Sequence, residues 1–150
     1  MSGYKIHLLV YVVSFSVISF YVSVNHLLDL SFETLALSLF IGAVYSILPD
    51  MDMPTSLMRR FIEKALLFLL LALIAGYVFS GNMILIYAAI AVVLFLLILW
   101  YAKHRGFFHT LAAGFMASAP LFVIEPYFAF SAFLGFMAHL AVDGKMFALI

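Results

Sequence analysis

The chain has 150 residues, of which 68% are hydrophobic and 9% charged, with no formal net charge and a mean hydropathy of +1.26. A water-soluble domain carries about 25% charged residues, so this composition excludes a dispersed globule and predicts an all-α integral membrane helical bundle. Zero net charge removes the electrostatic ground for a nucleic-acid partner, and the absence of cysteine excludes disulfides and thiolate metal sites.

A spanning helix needs about 20 mostly apolar residues. Between Lys5 and Asp29 only His7 and His26 can carry charge, which makes this stretch the first span. Its apolar run is longer than the roughly 7–15 residues of a signal peptide's hydrophobic region, so it reads as a retained helix. Residues 29–33 form a polar turn, with Ser31 as the N-cap and Glu33 in the first helical turn. Residues 34–49 form the second span. It ends at Leu48-Pro49-Asp50-Met51-Asp52-Met53-Pro54-Thr55-Ser56, where two prolines predict an extended or turning loop rather than helix.

Arg59, Arg60, Glu63 and Lys64 read as an amphipathic lead-in to residues 65–102, which carry no charge. That stretch is too long for one span. Ser80-Gly81-Asn82 supplies the turn of a two-span hairpin. Lys103-His104-Arg105-Gly106 interrupts the hydrophobicity. Residues 107–124 form the fifth span, Glu125-Pro126 turns the chain, and residues 127–142 form the sixth. The expectation is a single transmembrane domain over residues 1–150 with about six transmembrane helices.

Six spans place every basic residue (Lys5, Arg59, Arg60, Lys64, Lys103, Arg105 and Lys145) on the side that also holds both termini. Asp29, Glu33 and Glu125 fall on the other side. The positive-inside rule makes the basic side cytoplasmic, in a multi-pass cell-membrane protein.

The candidate ligands follow the same partition. His139 and Asp143 are four residues apart on the sixth span, so they share a helix face. Read alone, the pair fits a capped span end as well as a chelate. His139, however, lies at the hydrocarbon level, where ionisable groups are rare and functional. In His104-Arg105-Gly106-Phe107-Phe108-His109-Thr110 the glycine lets the backbone turn, placing His104 in the loop and His109 in the first turn of the fifth span. A basic flank explains His104 and Arg105 but not His109. Asp50 and Asp52 repel one another, and a cation between them relieves the repulsion. His7 joins the set as its least constrained member, and His26 reads as structural or interfacial.

Metal ligands are therefore expected at His7, Asp50, Asp52, His104, His109, His139 and Asp143. Without thiolates, such a set suits zinc, with manganese or magnesium as alternatives. It is large enough for two ions sharing a bridging group. Two neighbouring ions can clamp the entering and leaving oxygens of a phosphoryl centre. Arg105 is the candidate for holding an anionic group, and Asp52 for taking a proton from the attacking water.

The ordered set of His7, Leu-Pro-Asp-x-Asp-x-Pro-x-Ser at Leu48–Ser56, His-Arg-Gly-x-x-His-Thr at His104–Thr110, and Gly-x-x-x-His-x-x-x-Asp at Gly135–Asp143 resembles the membrane-bound metal-dependent hydrolases of the YdjM type. The resemblance covers nearly the whole chain. Met53 departs from it, standing where that family often carries a histidine. The family is similar to zinc-dependent phospholipase C, so the resemblance implies a helical, multi-zinc, phosphodiesterase-type hydrolase. The substrate expected is a phospholipid or a lipid-linked phosphoester that approaches from the lipid bilayer. The oligomeric state is left open. Two other functions would use the same residues: a transporter or metal-handling protein with an ion in transit, or a structural bundle pinned by its polar ends. Ligands at mid-membrane would favour transport, whereas these cluster at one end.

Overall fold

The structure, a computed structural model, describes residues 3–101 and 106–144. His104 and Arg105 lie outside the described residues. Every regular element among the described residues is helical. The helices are α1 (Tyr4–Val24), α2 (Phe32–Tyr45), α3 (Leu57–Ser80), α4 (Met83–Tyr101), α5 (Leu111–Ser118) and α6 (Pro126–Val142). Four segments are long and apolar enough to cross a membrane: Tyr4–Val24, Phe32–Asp52, Leu57–Ser80 and Met83–Tyr101. Leu111–Val123 and Pro126–Val142 are apolar but shorter. The chain divides into two compact units, residues 3–49 with 106–144, and residues 50–101.

In the first unit, α6 is the central helix. α1, α2 and α5 all pack against it. It buries a broad face that includes Ser131, Ala132, Gly135, Phe136, His139 and Leu140, and its exposed side, with Phe130 and Ala141, is apolar too, so its length shows little amphipathic contrast. α1 presents one stripe inward, His7, Tyr11 and Phe15, each one turn after the last. Tyr11 and Phe15 form an apolar cluster with Tyr127 and Ala138. The Tyr11 hydroxyl lies 2.8 Å from Ser131 Oγ and donates to the Ser38 carbonyl at 3.0 Å, while Ser131 Oγ donates to that same carbonyl at 2.5 Å. These bonds tie α1, α2 and α6 together. α2 and α6 come into backbone contact at Gly42 and Gly135, where a Cβ on Gly135 would overlap the Gly42 carbonyl. Small residues at a crossing are the usual means of bringing apolar helices into backbone contact.

The helix ends explain themselves locally. Ser31 accepts from the Thr34 amide, as expected of the N-cap of α2. Glu125 accepts from the Tyr127 amide, and Pro126 occupies the first turn of α6. α1 ends in a Schellman motif: the His26 amide bonds to Ser23 O, the Leu27 amide to Val22 O, and His26 takes the left-handed position with φ 50°. His26 is thus part of a cap.

One expectation changes here and another is narrowed. Residues 107–124 do not form one continuous helix. Phe107–His109 is a 3-10 turn, Thr110 is extended and caps α5, and Pro120 lies in a second 3-10 segment, Ala119–Val123. Thr110 Oγ1 accepts from the Ala113 amide and donates to the Phe107 carbonyl, so the cap and the preceding turn lock each other. His109 therefore sits before the helix rather than in its first turn. Of the two forms expected of the double-aspartate stretch, extended or turning, the structure shows the turning one, a 3-10 turn over Leu48–Asp52.

In the second unit, α3 and α4 pack as a hairpin. Gly81 ends α3 in the left-handed conformation, φ 66°, and α4 starts two residues later, as Ser80-Gly81-Asn82 predicts. The lead-in at Arg59–Lys64 is no separate element but the first part of α3, which Ser56 caps by accepting from the Arg59 amide.

Candidate metal centre

His7, His109, His139 and Asp143 come together at one end of the first unit. His7 is held one turn into α1. His139 lies on the last turn of α6, and Asp143 caps that helix, its amide bonded to the His139 carbonyl. His109 is fixed in its 3-10 turn by the Gly106 carbonyl, which accepts from the His109 amide, and by Thr110.

The geometry is convergent. Nε2 of His7 is 3.8 Å from Asp143 Oδ1, and Nε2 of His109 and of His139 are each 3.8 Å from Asp143 Oδ2. His109, His139 and Asp143 each offer a ligand atom within 4.8 Å of the others. The His7 and His139 rings stack, with centroids 4.0 Å apart and planes 15° apart, and His109 meets His139 edge-on at 5.3 Å. All three imidazoles are buried to 1% exposure or less.

His139 has a fixed tautomer. Its Nδ1 lies 2.9 Å from the Ser46 carbonyl, which can only accept, so Nδ1 carries a proton, and in the neutral ring the lone pair is on Nε2. A backbone carbonyl behind the ring is the usual support of a metal-ligating histidine. The contact depends on the helix crossing: Gly135 and Gly42 lie one turn before His139 and Ser46 respectively. The sequence gives no direct signal for Ser46, because a main-chain oxygen does the work. Thr110 was visible as part of the His-Thr pair, but its double role emerges only with the 3-10 turn.

The donor set fits a divalent metal. Two atoms bound at about 2.1 Å to one tetrahedral zinc lie about 3.4 Å apart. The separations of 3.8 Å need only a slight contraction to meet that. Imidazole and carboxylate are both common donors to divalent metals. Oδ1 of Asp143 faces His7, and Oδ2 faces His109 and His139.

Asp50 and Asp52 are both buried, in the part of the Leu48–Asp52 turn that opens the second unit. Met53 N bonds to the Asp50 carbonyl, and Ser56 Oγ donates to the same oxygen at 2.6 Å. His26 takes no part in the cluster; it belongs to the cap of α1.

Comparison of the chain with family models, with characterised proteins and with solved structures finds no match.

Proposed function

We propose that the protein is a membrane-embedded, metal-dependent hydrolase that cleaves a phosphoester in a lipid or lipid-linked substrate, as the likeness to the YdjM-type hydrolases implies. The observation that carries this reading is the arrangement of three buried imidazole Nε2 atoms, each 3.8 Å from the Asp143 carboxylate. Burying three histidines and an aspartate together in an apolar bundle is costly unless they share a task.

In this reading His7, His109, His139 and Asp143 would hold zinc, as two ions. Asp50 and Asp52 are included on the strength of the Leu-Pro-Asp-x-Asp-x-Pro-x-Ser motif. His104 completes the set from the sequence motif. Bound there, the metal supplies a nucleophilic water at neutral pH and offsets charge on the phosphoryl oxygens. Ser46 holds the His139 ring so that its lone pair faces the centre. Asp52 takes the proton of the attacking water, and Arg105 binds a non-bridging phosphoryl oxygen. All six apolar segments cross the membrane, the two shorter ones with local thinning of the bilayer. Both termini and the site face the cytoplasm, and the substrate enters sideways from the leaflet.

The test is hydrolysis of a panel of phospholipids and model phosphodiesters by purified protein loaded with zinc or manganese, alongside ion flux in vesicles. Zinc-dependent release of a phosphorylated headgroup, abolished in His139→Ala, supports the reading. Metal flux without hydrolysis replaces it with transport.

A further inference from the structure

Two grooves open at the end of the first unit away from the histidine cluster. Pro126 and Phe130, one turn apart at the start of α6, line both of them. The first lies between α1 and α6, with Ile18 and Val22 on its α1 side, and has a volume of about 480 Å³. The second lies between α6 and Leu111–Val123, with Phe115 and Phe122 facing Phe133, and has a volume of about 540 Å³. Both volumes are those of ligand sites, about 300–1,000 Å³. Hydroxyls in the walls are already satisfied within the protein. That of Tyr127 lies 2.9 Å from Ser19 Oγ, and Ser118 Oγ donates to the Gly114 carbonyl at 2.9 Å. Hydrocarbon is therefore the occupant these walls suit.

Two acidic side chains, Asp29 and Glu125, line the first groove as well. Asp29 is exposed, and Glu125 is half-buried at the cap of α6, where Oε1 accepts from the Tyr127 amide at 3.3 Å. A carboxylate has about four acceptor sites, so the cap leaves Glu125 able to accept from an outside donor. Among the described residues of this unit the only Lys or Arg is Lys5, at the start of α1 and so at the opposite end. His26 does not line the groove. The charge that complements this end is thus a cation brought by the occupant. From the acidic end the apolar walls run inward, from Val22 to Ile18 and from Pro126 past Phe130 to Phe133. A lipid with a cationic head and two chains matches that layout, one chain lying on each side of the ridge that Pro126 and Phe130 make.

We propose that these paired grooves bind one phosphatidylethanolamine molecule, its ammonium group held by Asp29 and Glu125 and its two chains seated around Phe130. The site rests on the membrane placement under the proposed function and not on the metal centre. Pro126 and His139 are about 20 Å apart along α6, so this lipid is not a substrate held at the metal. The primary ammonium donates hydrogen bonds to carboxylates. The quaternary head of phosphatidylcholine cannot donate, and phosphatidylglycerol carries only negative charge. The test is native mass spectrometry of the full-length protein released from detergent and titrated with these three lipids bearing identical chains. Two partly screened charge contacts are worth about tenfold in affinity, so phosphatidylethanolamine is expected to bind about tenfold more tightly than either of the others. Asp29→Asn combined with Glu125→Gln should bring it down to the level of phosphatidylcholine, and Val22→Phe, which fills the first groove, should weaken all three. Equal affinity for the three lipids in the wild type, or an unchanged preference in the double variant, overturns the proposal. If the double variant does not fold, Asp29→Asn alone takes its place, since Asp29 caps no helix. About a threefold loss of preference is expected there, and wild-type binding in both Asp29→Asn and Val22→Phe overturns the proposal. The same preparation separates the two readings. A chain that stays dispersed without detergent overturns the membrane placement and this site with it; a chain that needs detergent but shows no lipid preference overturns this site alone.

Discussion

The two ends of the first unit use ionisable residues in opposite ways. At one end, His26 fills the left-handed position of a Schellman motif and Glu125 caps the first turn of α6. Each serves the helix it belongs to. At the other end, His7, His109 and His139 come from three separate segments and face one carboxylate, that of Asp143. The same residue types thus serve helix ends where they are exposed or half-buried and gather into a cluster where they are buried. What separates them is whether the residue serves its own helix end or aims its side chain across to another segment.

That contrast can be broken, most strongly at its centre. Asp143→Asn keeps the shape of the side chain but removes the negative charge that three imidazoles face. Zinc affinity is expected to fall beyond the roughly 100-fold upper figure for outer-shell changes, measured by chelator competition; a smaller loss would make Asp143 a cap like Glu125. Next is the helix crossing. Gly135→Ala forces a Cβ into the Gly42 carbonyl, and overpacking of this kind costs about 1–3 kcal/mol. Denaturant unfolding in detergent should show that loss. Because His139 lies one turn away, zinc affinity should fall with it. Tyr11→Phe removes one hydroxyl from the node below the site while Ser131 still donates to the Ser38 carbonyl. The expected cost is about 1 kcal/mol in the same assay, with zinc affinity unchanged. The smallest effect belongs to the far end. His26→Gly removes a histidine but suits the positive φ. Zinc binding should not change, and stability should hold or rise by up to about 1 kcal/mol. A loss of zinc in that variant would erase the distinction between the ends.

Much of the fold was legible because it follows from local chemistry. The apolar runs, the Ser31 cap, the Ser80-Gly81-Asn82 turn and the Glu125-Pro126 start of α6 are all set by residues adjacent in sequence. His139 and Asp143 were legible as a pair because four residues make one turn. The fifth segment was misread because hydropathy averages over Thr110 and Pro120, which each break the helix through backbone geometry. The support of His139 by Ser46 was not legible, since it runs through a main-chain carbonyl brought near by two glycines. The lead-in at Arg59 was legible as amphipathic, but the reach of its guanidinium to the Met51 and Leu99 carbonyls was not, because main-chain oxygens carry no sequence signal.

X-ray absorption at the zinc edge of the metal-loaded protein tests the account most directly, because it counts the imidazoles bound to the ion. The account predicts a nitrogen and oxygen shell near 2.0–2.1 Å with the outer-shell scattering of two or more histidines, reduced by one ring in His139→Ala. Zinc that fails to bind, or that shows an oxygen-only shell unaltered by that substitution, would contradict it.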